Sequence, residues 1–265
     1  MPTFERKRPE AARSEPKASG VEKVASDEWT TPEGRGEDRF PNQRRLLVTC
    51  EHGGHRVPRR HRALFAGANA LLASHRGWDP GALDVARRLA LAWHAPLLAA
   101  TTTRLLVDLN RSPHNPAVFS KLTRGLPRDQ RDALRSGIHR PHWDRVRAAV
   151  RARAGTVLHL AIHSFTPVLR GVARDFGIGI LYDPKRRREQ EHALAWQRRL
   201  SGALPGVGVR RNAPYRGDSD GLTTALRREF PARRYLGIEL ELNQRMIASI
   251  AQRRALAAVL ANLLH

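Results

Sequence analysis

Apolar positions along the chain fall into short runs separated by polar, glycine- and proline-bearing turns. Arg45-Leu46-Leu47-Val48-Thr49-Cys50 reads as a buried strand. Strands are also predicted at Pro96 to Ala100, Leu105 to Leu109, Thr156 to Ile162, Gly177 to Tyr182, Val207 to Arg211 and Tyr235 to Leu242. Helical spacing runs from Leu83 to Trp93, just after the start signal Asp79-Pro80-Gly81. Residues 127–154 read as one or two basic amphipathic helices with a break near Pro141. Helices are further predicted at Glu189 to Leu200, Asp220 to Phe230 and Gln244 to Leu264. Strands alternating with helices predict an α/β fold, three layers deep, with a mainly parallel mixed sheet covered on both faces.

Residues 1–44 break this pattern. They are rich in Pro, Gly, Ser, Glu and Lys, lack apolar periodicity and carry balanced charge. Such a segment buries too little surface to offset its ordering entropy, so a disordered tail is expected there, with one catalytic α/β domain over 45–265.

Composition then narrows the chemistry. Of the 265 residues, 41% are hydrophobic, enough for a real core. No apolar run approaches the roughly 18–20 residues that span a bilayer, and the start of the chain lacks the apolar stretch of a secretory signal. A cytoplasmic protein without membrane association is expected. The one cysteine, Cys50, excludes an intrachain disulfide and a thiolate zinc finger. Any metal must therefore be held by His and carboxylate side chains. Cys50 itself reads as core packing.

The net charge of +22 raises the question of nucleic acid. The excess is almost all Arg, spread along the chain, and aromatics are 6%, too few for a stacking platform. No nucleic-acid motif is present, so no specific nucleic-acid partner is expected, although an Arg-rich surface attracts phosphates in a salt-dependent way.

Polar residues collect after the strands, where open α/β sheets bind ligands. Glu51-His52-Gly53-Gly54-His55 brings two imidazoles and a carboxylate together around a Gly pair. His163-Ser164-Phe165 offers a second rigidly held imidazole, while His159, inside the same strand, reads as structural. In Arg104-Leu105-Leu106-Val107-Asp108-Leu109-Asn110-Arg111, Arg111 suits a carboxylate clamp and Arg104 a polarising group at a scissile carbonyl. In Glu239-Leu240-Glu241-Leu242-Asn243, alternation puts both carboxylates on one strand face, where each raises the other's pKa and suits it as a general base. Each motif alone is also met by a solvated turn, a surface ion pair or a polar strand face.

Their order is more specific. Cys-Glu-His-Gly-Gly-His-Arg-Val-Pro at 50–58, Gly77-Trp78-Asp79-Pro80-Gly81, the Arg104–Arg111 run, His163-Ser164-Phe165-Thr166-Pro167, Leu181-Tyr182-Asp183, Asn212-Ala213-Pro214-Tyr215-Arg216-Gly217 and the Glu239–Gln244 run resemble the N-formylglutamate amidohydrolase family over about residues 45–245. The resemblance implies a zinc-peptidase-like α/β/α fold and one zinc per chain. His52 and His163 map to ligands. The relatives' ligand Glu is replaced by His55, and Asp79 is the alternative third ligand, with Glu51 a further one. Glu241 or Glu239 maps to the catalytic Glu, with Glu241 preferred as nearer the strand's carboxyl end. Asp108, Asn110 and Arg111 match an Asp-x-Asn-Arg motif tied to substrate binding, Asp108 orienting an Arg. The implied reaction is hydrolysis of an N-acyl, possibly N-formyl, amino acid such as N-formylglutamate. Rival readings are a basic binding protein of the same fold without catalysis, and phosphate or nucleic-acid binding by the Arg-rich surface.

Overall fold

A computed structural model describes residues 45–264, and the tail expected at 1–44 lies outside the described residues. The elements follow in the order β1 (Leu46–Cys50), α1 (Asn69–Ala73), α2 (Ala82–Ala92), β2 (Leu97–Ala99), α3 (Arg128–Leu134), α4 (Arg140–Arg151), β3 (Val157–Phe165), β4 (Val168–Leu169), β5 (Val172–Ala173), β6 (Ile178–Leu181), α5 (Arg187–Ala203), β7 (Val209–Arg211), α6 (Leu222–Glu229), β8 (Tyr235–Asn243) and α7 (Ile250–Leu263). Six strands form one sheet in the order β2-β1-β3-β8-β6-β7, and β4 and β5 form a separate hairpin. β2, β1, β3 and β8 run parallel, whereas β6 is antiparallel to β8 and parallel to β7. The mainly parallel mixed sheet is thus the one the alternation predicts. Among the described residues no helix is long and apolar enough to cross a membrane.

Strand alternation sorts the two faces. Val48 and Cys50, Leu160 and Ile162, and Ile238, Leu240 and Leu242 point to one side and pack with α2, α5 and α7 in the main core. Leu47, Val157 and Tyr235 point to the other and pack with Trp143, Val146 and Val150 of α4 and Leu222 and Leu226 of α6. Truncating a fully buried central residue such as Ile238 costs about 2–5 kcal/mol. The polar residues His163, Glu239 and Glu241 alternate with these core residues, so they all lie on the α4/α6 side of the sheet.

Two elements differ from the sequence expectation, and the helical stretch between them is the one-helix form of what was expected. Leu105 to Leu109 is no strand. The segment is a run of turns whose apolar side chains fill a third cluster with Phe65, Leu72, Val118, Phe119 and Leu134. The Thr103 hydroxyl accepts from Leu105 N–H and the Asp108 carboxylate from Asn110 N–H, local bonds that replace a ladder. Residues 128–151 are one helical run. A π turn at Arg135–His139 opens the backbone where Pro141 would clash with the carbonyl of Gly137, four residues back. The last helix starts at Ile250 and not Gln244. A 3-10 turn at Gln244–Met246 intervenes, and Ser249 with Gln252 forms a capping box.

Candidate active site

β1 delivers Glu51 and His52 to the carboxyl end of the sheet. The Gly pair lets this loop lie against the segment just after β2: a Cβ on Gly54 would stand 2.7 Å from the carbonyl oxygen of Thr101. Asp79 is tied to the same loop, its N–H donating to the His52 carbonyl at 2.9 Å. Gly81, at φ 83°, turns the chain directly into α2. β3 extends to Phe165, so His163 lies inside the strand and not after it. It pairs with Glu241 of β8, and Ala161 with Glu239.

His52, Asp79 and His163 converge, with one ligand atom from each lying within 4.8 Å of the others. Asp79 Oδ2 is 2.9 Å from His163 Nδ1 and 3.5 Å from His52 Nδ1. Ser164 N–H also donates to Asp79 Oδ2. On its far side, His52 Nε2 donates to Asp108 Oδ1 at 2.7 Å. A carboxylate only accepts, so His52 carries its proton on Nε2 when neutral and leaves a lone pair on Nδ1. That Nδ1 is buried and has no hydrogen-bond partner among the described residues. The Nε2 of His163 faces Glu51 Oε2 at 3.2 Å, with Glu239 Oε2 at 4.0 Å.

The charges are strongly coupled. Burial pushes the Asp79 carboxyl up, but His52 and His163 outweigh it and hold the group below the usual carboxylate range. Glu51 follows the same balance with His142 and His163, and Asp108 with Arg104 and His52. Burial disfavours a charged His163, yet Asp79 and Glu51 raise its pKa well above the ordinary value. Glu241 moves the other way. Burial, then the carboxylates Asp79 and Glu239, push it up to about 8 against the pull of His163 and Arg104. Its Oε2 is buried with no hydrogen-bond partner among the described residues. Glu239 Oε1 instead accepts from the Thr223 hydroxyl.

Two residues stand apart from their expected roles. His55 is exposed and packs on Trp78, ring centroids 5.0 Å apart, so it is not part of the His52–Asp79–His163 group. The loop carries it past the Gly pair to the outside. Asp108 was expected among the substrate-binding groups. Its carboxylate is taken up by His52, by Arg104 through two N–H groups at 2.8 and 3.1 Å, and by Asn110 N–H. It does orient an Arg, as expected, and it orients His52 as well.

A cleft of about 260 Å³ opens over this cluster, lined by His52, Asp79, His163, Glu239, Glu241 and Arg104, with Asn110 and Arg111 along its wall. Arg111 is steered by the Asp220 carbonyl, which accepts from its Nη1 at 2.8 Å. Asn110 Oδ1 accepts from the N–H of Leu222 at the start of α6. Sequence reasoning did not find His139 or His142. Their spacing of three on a helix was the available signal, since it puts both on one face. His139 Nε2 donates to the Arg111 carbonyl at 2.8 Å, and His142 reaches Glu51.

Comparison with known proteins identifies the family. The sequence model of the N-formylglutamate amidohydrolase family matches residues 44–248. Among solved structures, a gene product of Agrobacterium tumefaciens is 33% identical, with a TM-score of 0.72 over 83% of this chain and 88% of that one. The N-formylglutamate amidohydrolase of Ralstonia eutropha JMP134 shares the fold at 18% identity, with a TM-score of 0.57 over 83% of this chain and 91% of that one. Nothing among curated proteins matches the chain. With the family match spanning most of its length, the chain belongs to the N-formylglutamate amidohydrolase family.

Proposed function

We propose that the protein is a zinc-dependent amidohydrolase that removes an N-acyl group, of the N-formyl type, from an amino acid carrying a free carboxylate. The observation that carries this reading is the buried Nδ1 of His52, without a hydrogen-bond partner among the described residues and directed with Asp79 and His163 at one point. Two imidazoles and a carboxylate are an ordinary zinc donor set. The surrounding carboxylates Glu51, Asp108 and Glu239 add negative charge, so this point attracts a cation in a chain of net charge +22. When bound, zinc supplies Lewis-acid polarisation of the amide carbonyl and makes water a competent nucleophile near neutral pH.

The chain's own groups do the rest. Glu241, its carboxyl pushed up to about 8 and drawn down again by a cation held beside it, takes the proton of the attacking water and returns it to the leaving nitrogen. Arg104, braced by Asp108, presents a fixed positive charge to the oxygen that gains negative charge. Arg111 and Asn110 hold the substrate carboxylate at the cleft wall. Glu239, engaged by Thr223, lines the floor beside Glu241.

The test combines metal analysis with turnover. Purified protein should hold about one zinc per chain, lost in His52→Ala and His163→Ala, and should hydrolyse N-formyl amino acids in a chelator-sensitive way. Unchanged metal in both variants would refute the site. Bound zinc with no turnover across an amide screen would favour a binding protein of the same fold.

A further inference from the structure

Glu51 is 1% exposed, and neither carboxylate oxygen has a hydrogen-bond partner among the described residues. It lies between two imidazoles, with Oε2 3.2 Å from His163 Nε2 and Oε1 3.8 Å from His142 Nε2. His142, on the first turn of α4, is 2% exposed, and its two ring nitrogens also lack hydrogen-bond partners among the described residues. A charge buried this deeply is retained where it faces compensating groups. Glu51 has two, and one of them is a residue of the candidate metal site.

We propose that Glu51, backed by His142, is the positioning group for His163. It takes the Nε2 side of the ring, so that Nδ1 faces Asp79 and His52. This rests on the metal reading above. Asp79 meets His163 at Nδ1, whereas Glu51 meets it at Nε2, so the two carboxylates occupy opposite edges of one imidazole. Asn110 Nδ2 is also 3.4 Å from Nε2 and can only donate, which would call for a lone pair there. Glu51 is closer and charged, so it sets the proton on Nε2 and leaves Nδ1 to bind. His52 is built the same way, with Asp108 behind its Nε2. Both imidazoles thus have a carboxylate at the outer nitrogen, an arrangement that fixes ring orientation and raises ligand basicity. α4 contributes through the π turn, which lets the helix run on past Pro141 and brings His142 to the far oxygen of Glu51.

The experiment uses the full chain, stripped of metal and titrated with zinc against a chelating dye, with cobalt(II) absorption as the spectroscopic readout. Glu51→Gln, which keeps the shape and removes the charge, should bind zinc about 10–100-fold more weakly than wild type and shift the cobalt bands. His142→Gln should give a smaller loss in the same direction, and Glu51→Asp should recover part of it. Should Glu51→Gln not fold, His142→Gln carries the same readout. Variants with wild-type zinc affinity and an unchanged cobalt spectrum would overturn the positioning role while leaving the metal site standing. A wild-type protein that takes up no zinc overturns the metal reading, and this inference with it.

Discussion

His52 Nε2 donates to Asp108 Oδ1 across 2.7 Å, and this bond decides which edge of the imidazole turns to the cleft. Asp108 holds Arg104 with its other oxygen. Asp108→Ala should therefore lower zinc affinity by about 10–100-fold, the usual cost of removing a carboxylate behind a ligating His. Chelator competition measures it. A variant that keeps its zinc and only raises KM would return Asp108 to the substrate-binding role suggested by its motif.

Glu241→Gln should keep zinc and lose turnover by about 10²–10⁴-fold, since Gln has nearly the same shape and takes no proton at neutral pH. The structure separates Glu241 from Glu239: the first has a buried oxygen without a partner among the described residues and a raised pKa, while the second accepts from Thr223. Steady-state rates of the two Gln variants decide between them. A loss of that size in Glu239→Gln alone would reverse the assignment.

Much of this geometry is legible in the chain because it follows from strand alternation. Glu239 and Glu241 share a face by their spacing of two, and His163 follows an apolar run that reads as a buried strand and is one. The segment Leu105–Leu109 misled for the opposite reason. Its apolar side chains satisfy an irregular cluster as well as they would a sheet, and periodicity cannot separate the two. The pairing of His142 with Glu51 was not legible for a third reason. The two lie 91 positions apart, and their meeting depends on how α4 docks on the sheet. The choice among His55, Asp79 and Glu51 also needed three dimensions, because the turn after Gly54 carries His55 outward although it lies only three residues from His52, whereas Asp79 is 27 residues away.

His159 should make the protein acid-sensitive. It is fully buried, meets Thr49 Oγ1 at 2.8 Å and Tyr235 OH at 2.7 Å, and burial lowers its pKa from 6.5 to about 4. The unfolded chain takes up this proton below pH 6.5, the folded protein only below about 4. The contribution is therefore complete above 6.5 and is lost as pH falls towards 4, by about 3 kcal/mol at most. Urea denaturation of the metal-free protein at pH 7 and pH 5 measures the slope. His159→Gln should be less stable at pH 7, with a shallower decline. Other buried imidazoles, such as His139, keep the decline from vanishing. An identical slope in the variant would show that His159 does not set it.

Arg111 lines the cleft, and the Asp220 carbonyl accepts from its Nη1 at 2.8 Å, which holds the side chain in place. A guanidinium pairs with a carboxylate through two parallel hydrogen bonds, so free-acid N-acyl amino acids should be preferred over their amides. A charge-assisted hydrogen bond contributes about 1.5–3 kcal/mol. Arg111→Ala should therefore cost about 10–150-fold in kcat/KM on the free acid and much less on the amide. Arg111→Lys supplies the charge without the fork and should recover only part of the loss. The competing account makes Arg111 a structural tie between the turn it occupies and Asp220. Its removal would then disturb both substrates alike. The measurement is a two-by-two comparison of wild type and Arg111→Ala, each with an N-formyl amino acid and with its amide. The anchoring role requires the variant to lose its preference for the acid. Equal losses on both substrates would sink it, and the thermal stability of the variant would then tell whether the tie to Asp220 is what was broken.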